Sequence, residues 1–95
     1  MTDLERVKKD GMNLWFIENQ TPEMCLEAVR QDGMNLWFVK NQTEEICLEA
    51  VKTNGDALQF VENQTEKIIF EALRENEDVL EYIDDSMIER ILIAI

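Results

Sequence analysis

Histidine is absent from this 95-residue chain, and with it the side chain most often used as general base or metal ligand near neutral pH. Basic residues are scarce. Nine Lys and Arg stand against 21 Asp and Glu, a formal net charge of -12, the wrong sign for a direct grip on nucleic acid. The three glycines lie 22 residues apart, so no glycine-rich phosphate loop exists. Two cysteines are too few for a zinc site. The acidic pairs Glu44/Glu45 and Asp84/Asp85 are adjacent in sequence, so their side chains diverge, and no EF-hand order of Asp, Gly and terminal Glu is present. No window approaches the ~18 apolar residues of a membrane span. Met1 is followed by charged residues, not by the basic and apolar stretches of a secretory signal. These absences point to a non-enzymatic, cytoplasmic protein with no cofactor, no metal and no membrane segment.

What the chain does have is a period. Gly11–Asp32 (GMNLWFIENQTPEMCLEAVRQD), Gly33–Asn54 (GMNLWFVKNQTEEICLEAVKTN) and Gly55–Asn76 (GDALQFVENQTEKIIFEALREN) align without a gap at 22 residues. Residues 77–95 read as a divergent, truncated fourth copy, and residues 1–10 as the back half of an earlier one. A fixed period of this length marks a single repeat domain in which each unit buries its apolar face against neighbours.

Each copy carries two helix signals. Asp10, Asp32, Asn54 and Asn76 precede a first helix of about eight residues, and Asp and Asn are good N-caps. Thr21, Thr43 and Thr65 precede a second, with Pro22 at its first position and Glu23 or Glu45 in its first turn. Arg30, Lys52 and Arg74 close the second helix, and glycine in a tight turn follows in the first two copies. On a wheel of about 100° per residue, Leu14, Phe16, Ile17 and the column of Asn13 form the core arc of the first helix. The second helix keeps Met24, Cys25, Leu26, Ala28 and Val29 apolar over an arc of roughly 200°, so it is sandwiched between neighbours. Cys25 and Cys47 share a column with Ile69 and Ile91 and read as packed thiols. The small column of Ala28, Ala50, Ala72 and Ala94 marks a close approach of two backbones. The Asn-Gln-Thr of each linker is accounted for as turn and cap chemistry. A leucine-rich repeat of similar period is excluded, because the periodicity is helical and no alternating-leucine strand occurs. The fold class is an all-α short solenoid of stacked helix-turn-helix repeats.

The GMNLWFVKNQTEEICLEAVK pattern resembles the tandem helical repeats of a family of unknown function, number 4116, whose members occur in giant-virus and bacterial proteins. The resemblance covers about residues 10–76. It implies stacked helical hairpins and no known enzyme activity, and it assigns no catalytic residue at any position.

Two columns break the pattern of burial. Trp15 and Trp37 are followed by Gln59 and Glu81, and Met12 and Met34 by Asp56 and Asp78; a column that accepts acid faces water. Met12, Trp15, Met34 and Trp37 therefore form an exposed apolar strip at the N-terminal end, of the kind that marks interaction sites. Residues 55–95 carry a net of -8, and Glu75, Glu77, Asp78, Glu81, Asp84, Asp85 and Glu89 follow one another with no basic residue between them. Such a face imitates the phosphate spacing of a nucleic acid and fits a Lys/Arg-lined groove. The chain ends on Ile88, Ile91, Leu92, Ile93 and Ile95, of which four fall on core columns, while Ile93 replaces the glutamates of Glu5, Glu27, Glu49 and Glu71. Two functions of different class follow. One is an acidic inhibitor or decoy, of the phage anti-CRISPR kind, that docks on a basic nucleic-acid-binding protein. The other is a scaffold that self-associates as a homodimer through the Trp strip and Ile93, its acids serving only solubility.

Overall fold

The computed structural model describes residues 1–94, with side chains through Ile93; the expectations for the Ala94 side chain and for Ile95 lie outside the described residues. Among those residues five α-helices, α1 (Asp3–Lys9), α2 (Pro22–Gln31), α3 (Glu44–Thr53), α4 (Glu66–Glu75) and α5 (Asp85–Ala94), alternate with four 3₁₀ helices, η1 (Gly11–Phe16), η2 (Gly33–Phe38), η3 (Gly55–Phe60) and η4 (Glu77–Tyr82). No strand occurs among them. The α-helices stack α1 on α2, α2 on α3 and α3 on α4; the 3₁₀ helices stack in parallel with them, giving a rod 49 × 20 × 17 Å. The chain is a short all-α solenoid.

Capping residues place the junctions from α1 through η4. Thr21, Thr43 and Thr65 accept from the amides of Met24, Ile46 and Ile68, and Pro22 occupies the first turn of α2. Asp32 serves two helices at once: its N–H donates to the Ala28 carbonyl at 3.2 Å, ending α2, and its carboxylate accepts from Met34 N–H at 3.0 Å, starting η2. Asn54 and Asn76 do the same between later helices. No loop separates α from η.

The first helix of each unit is shorter and tighter than a wheel of 100° supposes. It is a six-residue 3₁₀ helix, in which side chains three apart eclipse. Gly11, Leu14 and Ile17 thus line the buried side together, and the same holds for Gly33, Leu36 and Val39. Phe16, expected in the core, is one position off that line and is 80% exposed. Phe38, Phe60 and Tyr82 in its column are half-buried.

Glycine at the head of η1, η2 and η3 makes room for a neighbouring unit rather than for a turn, since none of the three has positive φ. A Cβ on Gly33 would stand 2.1 Å from the Ala50 carbonyl oxygen. Ala50 is itself fully buried, so the small-residue column and the glycine column meet at one close contact.

The linkers are joined by glutamine. Gln20 Nε2 donates to the Phe38 carbonyl at 2.8 Å while its Oε1 accepts from Lys40 N–H at 3.0 Å. One side-chain amide therefore clasps the peptide groups on both sides of Val39 in the next unit. Gln42 repeats this around Val61, with 2.8 Å to the Phe60 carbonyl and 3.0 Å from Glu62 N–H. Gln64 repeats it around Ile83, with 2.6 Å to the Tyr82 carbonyl and 2.8 Å from Asp84 N–H. Turn and cap chemistry alone leaves this cross-unit role out.

The fourth unit departs from the period. Its linker receives the Gln64 clasp but has no Asn-Gln-Thr of its own, so α5 starts at Asp85, three residues before the position 22 beyond Glu66. Ile91 is buried, but Ile88 and Leu92, expected on core columns, are exposed, Leu92 at 66%. Ile93 stands nine residues into α5, where α4 has Arg74, not Glu71; it is 80% exposed. Leu80, in the otherwise buried column of Leu14, is exposed as well.

Gly33→Ala is expected to lower stability by about 3 kcal/mol in chemical denaturation, because its new methyl meets backbone rather than a movable side chain. Gly55→Ala, whose nearest contact is 3.0 Å away, costs about 1 kcal/mol or less. Equal costs at the two positions would contradict this packing.

Candidate partner-binding face

The 3₁₀ helices present one continuous face. Because the units repeat, Trp15, Trp37, Gln59 and Glu81 follow each other in one row, and Met12, Met34, Asp56 and Asp78 in the row beside it. Trp15 and Trp37 are 59% and 61% exposed. Met12 is exposed too, whereas Met34 is half-buried against the core. The eclipsed 3₁₀ geometry explains the pairing of rows, since Met12 lies three residues before Trp15 and Met34 three before Trp37.

The phenylalanines complete the strip. The Trp15 ring meets Phe38 of the next unit edge-on at 5.5 Å between centroids, and Trp37 meets Phe60 at 5.1 Å. Phe16, in the first 3₁₀ helix, has no such tryptophan over it and is exposed. Two adjoining open grooves run along the strip. One, of about 590 Å³, lies among Met12, Met34, Trp37, Phe38 and Phe60; the other, of about 480 Å³, lies among Met12, Trp15, Phe16, Trp37 and Phe38. Asp10 lines both grooves and Asp32 the first, and no basic residue lines either. Reading the columns of Met12 and Trp15 alone left out Phe16, Phe38, Phe60 and these two aspartates. The signal was available: an aromatic residue recurs 23 positions after each tryptophan, one step beyond the period.

Further along the rod the face turns acidic. Glu75, Glu77, Asp78, Glu81, Asp84, Asp85 and Glu89 are all exposed. Ion pairs among the described residues go elsewhere: Arg74 to Glu71 at 3.7 Å and Arg90 to Glu66 at 3.5 Å, with others nearer the start of the chain. None of the seven acids has a cationic partner among the described residues. Hydrogen bonding to the Glu81 carboxylate, then burial and the charges of Glu81 and Asp56, push the Tyr82 phenol above its usual pKa. Structure thus brings Met12, Trp15, Met34 and Trp37 together at one end of the face. It puts Asp78 and Glu81 in the same rows toward the other end, and places Ile93 on α5.

The interior is chemically quiet. Cys25 and Cys47 are free and buried; burial raises both thiol pKa values, that of Cys47 to about 11 with help from Glu62 and Glu44. Their sulfurs lie 3.7 and 3.4 Å from Gln20 Oε1 and Gln42 Oε1, so they back the clasp as weak donors. No group of three or more His, Cys, Asp or Glu side chains that could hold a metal ion occurs among the described residues. No helix among them is long and apolar enough to cross a membrane.

A rod of clasped α/3₁₀ units with an aromatic-to-acidic face defines a helical-repeat protein. The chain belongs to the family described as a domain of unknown function (DUF4116), which matches residues 21–65 and again residues 43–88. The two matches start 22 residues apart, so one family unit spans two of the repeats. No curated protein and no solved structure matches the chain.

Proposed function

We propose that this protein is a non-catalytic protein-binding module, an acidic decoy that docks on a basic nucleic-acid-binding protein. The observation that carries the reading is the run of seven exposed acids from Glu75 to Glu89, free of cationic partners among the described residues; two of them, Asp78 and Glu81, lie in the rows that begin with the exposed Met12 and Trp15. Carboxylates already paired within the molecule would have little left for a partner; these are available to a Lys/Arg-lined groove. The strip supplies what charge alone does not, a desolvated aromatic contact of the sort that dominates interface energies. An inhibitor of a viral or phage kind, turned against a defence nuclease, is one setting in which such a surface is useful.

A second reading has its own observation. On α5 the side chains of Ile88, Leu92 and Ile93 are exposed together on the last helix, which supports self-association of this end of the rod.

The decoy is tested by displacement of a labelled oligonucleotide from nucleic-acid-binding proteins with Lys/Arg grooves, followed by anisotropy. Wild type displaces the oligonucleotide, and the effect falls steeply between 50 mM and 200 mM salt. Changing Glu77→Gln, Asp78→Asn, Asp84→Asn and Asp85→Asn together weakens displacement about tenfold or more. Undiminished displacement by that variant removes the reading. Self-association predicts a dimer in sedimentation equilibrium that Leu92→Glu with Ile93→Glu dissociates; a monomer at millimolar concentration rules it out.

A further inference from the structure

The rows on the 3₁₀ face are a ladder with a fixed rung spacing, and a ladder constrains what can lie along it. Helices packed side by side are about 8–10 Å apart, so successive rungs of a stacked unit fall about 10 Å apart. The rungs differ in kind. The first two present Trp and Met over a Phe of the following unit, the third presents Gln59 and Asp56, and the fourth Glu81 and Asp78. A partner segment must therefore offer two apolar anchors, then polar and basic side chains, at steps of one rung.

The groove walls say which backbone carries them. Met12, Met34, Trp37 and Phe38 line the first groove with largely apolar side chains. The polar side chains beside them are few and partly engaged: Asp10 and Asp32 each accept through one carboxylate oxygen from an amide of their own 3₁₀ helix, and the Asn35 amide donates to the Ala28 carbonyl at 2.9 Å. An extended segment laid here would find acceptors for few of its N–H groups and little to donate to its C=O groups, whereas a helix satisfies both internally. Seven residues of α-helix advance about 10.5 Å and return to within about 20° of the same side. One rung thus equals one heptad.

We infer that the occupant of this face is an amphipathic α-helix with large apolar anchors seven residues apart, seated on the Trp15 and Trp37 rungs, and with Lys or Arg one and two heptads further on, opposite Asp56, Asp78 and Glu81. Charge complementarity selects the basic end, because no lysine or arginine lines either groove and the later rungs are acidic. The inference rests on the partner-binding reading of the same face and specifies the partner's form.

Trp15 and Trp37 are the protein's two tryptophans, so fluorescence excited on the red edge, where Tyr82 does not absorb, reports on the two rungs. Three probes free of Trp and Tyr are titrated into the full chain. The first is a helical peptide with Leu anchors at i and i+7 and Lys at i+14 and i+21. The second has the same composition but the second anchor at i+5, about 140° away round the helix. The third is an unstructured oligolysine. The inference predicts a blue shift with the first peptide at least tenfold tighter than with the other two. It also predicts that Trp15→Phe and Trp37→Phe each leave the remaining indole responsive, that Trp15→Ala and Trp37→Ala each weaken binding about tenfold, and that Asp56→Asn with Asp78→Asn flattens the salt dependence. Equal affinity for the two helical peptides and oligolysine overturns the helical occupant while leaving acidic attraction in place. Failure of all three to bind overturns the partner-binding reading as well.

Discussion

One side-chain amide, used three times, sets the geometry of this molecule. A linker from a 3₁₀ helix to the α-helix that follows it has backbone groups that neither helix can use, and a stack of such linkers must satisfy them or leave them to water. Gln20, Gln42 and Gln64 each fill that need by bonding the carbonyl before, and the amide after, the buried β-branched residue of the next linker. The pattern copies a peptide-to-peptide pairing with a side chain standing in for one strand. Each clasp contributes about 1–3 kcal/mol net, a modest sum, but it also fixes register. With Val39, Val61 and Ile83 held in place, the 3₁₀ helices cannot slide, and their outward rows line up from unit to unit.

The face follows from that alignment. Because the rows are in register, a tryptophan reaches the phenylalanine of the next unit, and residues of one column become neighbours in space. Sequence divergence between copies is then free to write a gradient, from Trp and Met at one end to Asp and Glu at the other, without disturbing the clasp or the glycine contacts beneath. The fourth unit shows the dependence in reverse. Where Asn-Gln-Thr is missing, the helix start moves by three residues; Ile91 stays buried in its inherited column, but Leu92 is exposed where Leu26, Leu48 and Phe70 are half-buried.

Much of this architecture was legible in the residues. The caps Thr21, Thr43 and Thr65, the N-caps Asp32 and Asn54, Pro22, the buried thiols and the close approach at the alanine column all follow from local chemistry, and repetition made most of these signals visible more than once. The exposure of Trp15 and Trp37 was readable because acid occupies their column elsewhere. Three things were not. A wheel of 100° put Phe16 inside, since nothing in GMNLWF announces a 3₁₀ helix except the threefold spacing of Gly11, Leu14 and Ile17. Glycine looked like a turn residue, although Gly33 is needed for its missing Cβ. Glutamine in each linker looked local, because its partners lie 18 and 20 residues away, in the next unit.

Amide hydrogen exchange tests the clasp directly, with an internal control supplied by the chain. Lys40, Glu62 and Asp84 donate to a glutamine oxygen, while Glu18, at the same place in the first linker, has no such partner among the described residues. The account predicts strong protection at Lys40, Glu62 and Asp84, rapid exchange at Glu18, and selective loss of protection at Glu62 in Gln42→Ala. Exchange at Lys40, Glu62 and Asp84 as rapid as at Glu18 would contradict it.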